Sequence, residues 1–183
     1  MTEFMFGLLA ALITGVGARD QTMIARLSER QGARPAVLIA GVVCAGLSSA
    51  AAGWAGLVSA PLLAGDARNW LVAMATGLAA LELLVLRPGR MPAEPTNSLG
   101  AFAVVLLSQQ LTDAARLMIF ALAAASSGPA LAALGGGIGS AITLTTGWSA
   151  GAAMGHRHFG RMRRWLGGAL LLVTIWQVLA LAL

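Results

Sequence analysis

Five polar residues lie close together in the middle of a long apolar segment, residues 99–125, and they are the residues best suited to chemistry. They are Gln109, Gln110, Thr112, Asp113 and Arg116. A segment of this length can cross a bilayer. A carboxylate or a guanidinium at membrane depth is costly, so its presence there indicates a functional site. Such side chains bind an ion or a polar solute, or cycle a proton, and we predict that role here, with Arg116 tuning the charge or gating.

A second polar interruption divides the first apolar segment, at residues 15–22. It contributes Gly17, Asp20 and Gln21 as further candidate binding residues, with Arg19 beside them as a second charge-tuning or gating residue. Glu82, in the third apolar segment, is the remaining candidate of that kind. Purely structural readings stay open for most of these polar residues.

The charged candidate residues also have structural interpretations, in which they stabilise the protein without binding a solute. Asp113 and Arg116 have the spacing of a helical ion pair that fixes packing. Asp20 with Arg19 has the composition of a solvated pair at the end of a span, which is the interpretation we favour for Asp20. For Glu82 we favour a side chain that reaches towards the membrane interface or pairs there.

The composition is that of a helical membrane protein. The chain has 183 residues, of which 58% are hydrophobic and 10% are charged, and its mean hydropathy is +0.81. A soluble domain carries about a quarter charged residues, and runs of about 20 apolar residues without strict alternation indicate helices rather than a barrel. We expect the lipid bilayer as partner, no nucleic acid, no cofactor and no enzymatic activity, because no apolar segment holds a histidine beside a serine.

Six spans divide into two halves that form an internal repeat. The halves are residues 1–86 and 99–183, and a proline-rich linker, residues 87–98, joins them. With a shift of about 94 residues, Pro35 falls on Pro129 and Gly53-Trp54 falls on Gly147-Trp148. Three spans per half is an odd number, so the second half must enter the membrane from the opposite side. The sequence thus predicts an all-α membrane protein of two inverted three-helix repeats, the arrangement of many secondary transporters.

The arginines predict the orientation in the membrane. All 12 basic residues are arginine, and most lie in the loops at residues 19–34, 87–98 and 155–164. The positive-inside rule places these loops in the cytoplasm and both termini outside. We expect a bacterial-type inner membrane, with oligomeric state left open.

Small residues recur every fourth position in the second and fifth spans. The stripes comprise Gly41, Ala45, Ser49 and Gly53, and Gly135, Gly139, Thr143 and Gly147. A stripe of this kind lets helix backbones approach closely, so its predicted role is structural.

The repeat and its two interruptions resemble the calcium:cation antiporter-2 family of small Mn²⁺/Ca²⁺:H⁺ exchangers. Each half of a family member carries Glu-x-Gly-Asp-Lys/Arg-Ser/Thr, usually followed by Gln. Here the first copy spans residues 15–21, where Gly17, Arg19 and Gln21 match, and the second spans residues 110–116, where Asp113 matches and Gln110 is the isostere of Glu. The remaining carboxylate positions of the motif hold Gly15 and Ala18.

The resemblance implies a divalent cation:proton antiporter whose site lies at the membrane midplane between the repeats. It implies manganese or calcium, and protons, as substrates, with Asp113 and Gln110 as metal ligands. Two alternatives follow from the missing carboxylates and the intramembrane arginines. One is a relative that no longer transports and acts as a membrane subunit, and the other is an exporter of an anionic or zwitterionic small molecule.

Overall fold

The described part of the protein is a bundle of α-helices, several of them apolar enough to suggest a membrane-embedded protein. A computed structural model describes residues 1–63, 66–85, 98–151 and 157–183, with only the backbone described for 157–159. The helices of this part of the chain are α1 (Thr2–Gly15), α2 (Arg19–Gln31), α3 (Pro35–Ser59), α4 (Ala67–Val85), α5 (Leu99–Gln110), α6 (Ala114–Ala125), α7 (Pro129–Ala150) and α8 (Arg157–Ala182), with a short 3₁₀ turn, Ala60–Leu62, after α3. The predicted linker lies outside the described residues except for Ser98, whose side chain caps α5.

Four of these helices are long and apolar enough to cross a membrane by themselves. The other four form two bent pairs, and counting each pair as one span gives up to six spans within the described ranges. α1 and α2 meet at 60°, and α5 and α6 meet at 57°. The prediction of an all-helical protein with several apolar segments is therefore confirmed, and both polar interruptions lie at the bends of the paired helices. The finer arrangement as inverted repeats remains a proposal, argued below.

Each bend has a local cause in the sequence. Gly17 has φ +68°, a left-handed conformation that glycine adopts without the steric cost a Cβ would add. It separates the end of α1 from α2, whose N-cap, Ala18, is extended. In the second pair, Asp113 is the N-cap of α6 and its side chain accepts a hydrogen bond from the Arg116 N–H. An Asp at this position begins a new helix, because it satisfies an N–H that the first turn leaves open.

Small residues allow α1 to lie directly against α7. A Cβ at Gly139 would lie 2.6 Å from the Leu8 carbonyl oxygen, and one at Gly135 would overlap the backbone at Phe4. The backbones therefore approach more closely than larger side chains permit, as the small-residue stripe predicted. On α3, Gly53 contacts Ala133 near the start of α7, whereas Gly41 lies near Leu144 towards its end. Thus α3 and α7 cross side by side in opposite directions.

α8 lies at the edge of the bundle and packs chiefly against α4. Gly167 of α8 approaches Leu83 and Leu84, and Gln177 accepts a hydrogen bond from Thr76 at 2.8 Å. Only 6% of the apolar stretch within Gly160–Ala182 is buried inside the protein. Its exposed faces are apolar, and lipid is the solvent they fit. α8 begins at Arg157, within the segment 155–164 that the sequence analysis assigned to a loop, so Arg163 belongs to the helix.

Candidate functional site

The two bends meet in the interior, and their polar side chains form one network. Asp20 in the first turn of α2 lies 5% exposed, and Gln110 at the end of α5 is fully buried. The Gln110 Nε2 donates to Asp20 Oδ2 at 3.2 Å. This contact joins positions 90 residues apart in the chain, so the two interruptions lie together.

Arg116 is the centre of this network. Its Nη1 donates to Asp113 Oδ2 at 3.2 Å, and the same nitrogen lies 4.0 Å from Asp20 Oδ2. Its Nε donates to Ser48 Oγ at 2.9 Å, and that hydroxyl donates to Gln110 Oε1 at 3.2 Å. The guanidinium is 2% exposed. One buried cation therefore holds two carboxylates, one from each helix pair.

A second cluster of charges lies around Glu82. Both of its carboxylate oxygens accept hydrogen bonds from Arg163 Nη2, at 2.9 and 3.0 Å. Arg19 Nε lies 3.6 Å from Glu82 Oε1. We name the set Arg19, Glu82 and Arg163 the outer cluster, and Asp20, Asp113 and Arg116 the inner cluster. The adjacent residues Arg19 and Asp20 connect them along α2.

The two clusters have opposite excess charges that cancel. The inner cluster places two carboxylates around one guanidinium, whereas the outer cluster places two guanidiniums around one carboxylate. Charge balance lowers the cost of placing six ionisable groups in and beside the interior. Two helix N-termini, those of α2 and α6, begin at the same place, and their partial positive charges favour Asp20 and Asp113 there.

Several buried guanidinium nitrogens have no hydrogen-bond partner among the residues that the structure describes. They are Arg116 Nη2, Arg19 Nε and Nη2, and Arg163 Nε and Nη1. By contrast, the oxygens of Asp20, Asp113 and Glu82 all accept hydrogen bonds from protein groups. The site therefore has free donors and occupied acceptors.

Three of the predicted binding residues do not belong to either charged cluster. Gln21 connects α2 to α7, because its Nε2 donates to the Thr143 carbonyl at 2.9 Å and its Oε1 accepts from Gly17 N–H at 2.6 Å. Thr112 is exposed and its hydroxyl donates to the Gln109 carbonyl. Gln109 is half-buried, with an Oε1 that has no partner, and lies outside both clusters.

One of the favoured interpretations of charged residues was wrong. Asp20 is not in a solvated pair with Arg19, because the 60° bend turns the first turn of α2 into the interior. Glu82 is 6% exposed and pairs with Arg163, as the second form of its prediction allowed, while its position relative to the membrane interface stays a prediction. The predicted pair of Asp113 with Arg116 is present, at the spacing the sequence indicated.

Sequence reasoning missed Ser48 and Arg163. Ser48 lies beside the small-residue stripe of α3, and a serine there is an ordinary packing residue in the absence of further information. Arg163 belongs to an arginine-rich stretch that resembles a solvated loop. The only signal that could have found Arg163 was Glu82, a buried acid that needs a basic partner.

The described residues contain no group of three or more His, Cys, Asp or Glu side chains that could hold a metal ion. Asp113 and Gln110, the predicted metal ligands, are bonded to Arg116, Ser48 and Asp20 instead. Comparison with protein-family models, curated protein sequences and solved structures finds no match to this chain.

Proposed function

We propose that the chain is a small secondary transporter of two inverted three-helix repeats, whose solute binds at the inner cluster. The observation that carries this proposal is the meeting of the two broken helix pairs at buried charges. In transporters built from inverted repeats, the N-termini of broken helices point at charged groups of the substrate near the midplane. Here α2 and α6 begin on either side of Arg116.

The positions of the turns support the inverted arrangement. The Arg34 carbonyl, just before α3, accepts from Trp148 Nε1 near the C-terminal end of α7. Ser127, just before α7, donates to Glu3 at the start of α1. Arg34 and Ser127 therefore lie at opposite ends of α7, although each belongs to the turn before the middle span of its half. Inverted repeats require this of corresponding turns.

The chemistry of the inner cluster favours an anionic or zwitterionic solute over a bare divalent cation. A hard cation such as Mn²⁺ or Ca²⁺ takes about six oxygen ligands, several of them anionic. The carboxylates of Asp20 and Asp113 already accept protein hydrogen bonds, and Arg116 repels a cation. Arg116 Nη2, however, is a buried donor without an acceptor among the described residues, and a carboxylate-bearing solute would supply one in a charge-assisted hydrogen bond.

Binding of such a solute would couple its movement to a proton. An incoming carboxylate competes with Asp113 for the guanidinium of Arg116. A buried carboxylate that loses its partner is costly to keep charged, and proton uptake removes that cost. One anion and one proton would then cross together, with no net charge.

Transport by the purified chain in vesicles with an entrapped pH reporter tests the proposal. The probes are acetate, lactate, glycine, alanine, Mn²⁺ and Ca²⁺, each added outside at equal ionic strength. We expect proton-coupled uptake of a carboxylate or amino acid. Arg116→Gln should reduce it by at least about tenfold, equivalent to about 1.4 kcal/mol of lost interaction.

Arg161→Gln is the matched control, because Arg161 is exposed on α8, and it should transport normally. Flux of Mn²⁺ or Ca²⁺ abolished by Asp113→Asn would instead support cation:proton exchange. No flux of any probe would contradict the proposal and support a membrane subunit without transport.

A further inference from the structure

The geometry points to a second site, at the outer cluster, that binds an oxyanion of the phosphate type. The proposal does not depend on transport, because it concerns Arg19, Glu82 and Arg163 and not the inner cluster. These residues come from α2, α4 and α8, so the site lies where three helices meet. Two guanidiniums share one carboxylate there, which leaves one positive charge in excess.

The unpaired donors define the ligand. Arg163 is 3% exposed, yet its Nε and Nη1 have no acceptor within the described ranges of the chain. Arg19 contributes Nε and Nη2, which also have no hydrogen-bond acceptor there. A buried donor without a partner costs about 1–3 kcal/mol, and more when it is charged. A single carboxylate offers two oxygens, whereas a phosphate group offers three or four, enough to accept from both guanidiniums at once.

Arg19 provides the route to these donors. Its side chain is 22% exposed, whereas those of Glu82 and Arg163 are 5% and 4% exposed. Its contact with Glu82 is also the longer one, at 3.6 Å against 2.9 Å for Arg163. An incoming oxyanion would therefore displace Arg19 from Glu82 first and then reach Arg163.

Glu82 has a second consequence for binding, because it competes with the ligand. Its carboxylate accepts two hydrogen bonds from Arg163 and supplies the negative charge that an oxyanion would otherwise provide. Removing this charge while keeping the shape of the side chain should tighten oxyanion binding. A merely structural ion pair predicts the opposite, namely lower stability with no response to phosphate.

Thermal unfolding of the purified full chain in detergent, titrated with inorganic phosphate at constant ionic strength, tests the site. At ten times its dissociation constant, phosphate should raise the melting temperature by roughly 3–6 °C. Arg163→Gln should abolish the response. Arg164→Gln should keep it, because Arg164 is the neighbouring residue and is exposed. Glu82→Gln should bind phosphate roughly tenfold more tightly or better.

A second arm distinguishes free phosphate from the phosphate of a lipid headgroup. The chain is placed in nanodiscs of phosphatidylcholine with or without phosphatidylglycerol. A rise in melting temperature that needs phosphatidylglycerol and is lost in Arg163→Gln identifies the lipid, and a response to inorganic phosphate alone identifies a free solute. Either result supports an oxyanion site.

The proposal is overturned if the wild type responds to neither ligand, or if Arg163→Gln responds as the wild type does. If Arg163→Gln fails to fold, Glu82→Gln carries the test, since a gain in affinity cannot come from misfolding. Arg116→Gln should retain the phosphate response even where it loses transport, so the two proposals can fail separately.

Discussion

The Asp113 side chain both caps the N-terminus of α6 and pairs with the Arg116 guanidinium. Its Oδ1 accepts from the Arg116 N–H at 2.8 Å and begins α6, while its Oδ2 accepts from the Arg116 guanidinium. Family resemblance and ion-pair spacing both singled this residue out from the sequence. The sequence did not predict that Asp113 caps a helix, because this depends on where the helix of the apolar segment is interrupted.

Substitutions of Asp113 should separate the contribution of the helix cap from that of the ion pair. Asp113→Ala loses cap and charge, and leaves Arg116 with Asp20 at 4.0 Å as its remaining acid. We expect a loss of about 3–5 kcal/mol in the free energy of unfolding. Asp113→Asn keeps a good N-cap and should cost about 1 kcal/mol less. Chemical unfolding of both variants in one detergent measures the difference, and equal losses would contradict a capping role.

The double variant Asp113→Asn/Arg116→Met checks the electrostatic part. Replacing both members of a buried ion pair is less costly than leaving one of them alone. The double variant should therefore be more stable than Arg116→Met alone, which leaves two carboxylates without a guanidinium.

At the scale of the helices, the spacing of small residues correctly predicted close helix packing. It could not predict the direction of side chains near the two helix bends. Apolar length and the positions of prolines indicate where spans begin, as at Pro35 and Pro129. The direction of a side chain near a break depends on the bend angle, which the sequence does not encode locally. This is why Asp20 was assigned to a solvated pair and is buried instead.

Two glycine-to-alanine substitutions test whether close helix contact holds the bundle together. At Gly139 a Cβ would lie 2.6 Å from the Leu8 carbonyl oxygen and 3.0 Å from Ala11 Cβ. Because the obstacle is largely backbone, we expect Gly139→Ala to destabilise by about 1–3 kcal/mol. Gly46→Ala is the control, since a Cβ there meets nothing within 4 Å.

Gly46→Ala should be neutral or stabilising by up to about 1 kcal/mol, because alanine favours a helix more than glycine does. The melting temperatures of both variants, compared with the wild type in the same detergent, give the answer. A neutral Gly139→Ala would mean that α1 and α7 can move apart without loss.

At the scale of the whole molecule, the exposed surface is largely apolar, and a small, charge-balanced set of charged side chains lies in and beside the interior. Exposed apolar side chains such as Trp54, Trp165 and Trp176 cover the outside, whereas six ionisable side chains lie in the two clusters. The sequence predicted this division because so few charges cannot cover a soluble surface. It did not predict that the charges balance, since Arg163 had been assigned to a loop.

The side of the membrane on which each half begins its middle span is the property of the whole molecule that remains to be measured. Ala33 and Ser127 are both exposed, and each lies two residues before the proline that begins α3 or α7. Single cysteines at these positions, in a Cys44→Ala background, can be labelled with a membrane-impermeant maleimide. Cys44 is 3% exposed and lies in α3, so its removal leaves the surface unchanged.

In intact cells, Ser127→Cys should react and Ala33→Cys should react only after the membrane is opened. The physical reason is that the arginines beside Ala33 hold that turn in the cytoplasm, while the odd number of spans per half places Ser127 on the other side. Labelling of both cysteines from one side would contradict the inverted repeat. Labelling in the reverse order would keep the repeat and reverse the orientation, with both termini then in the cytoplasm.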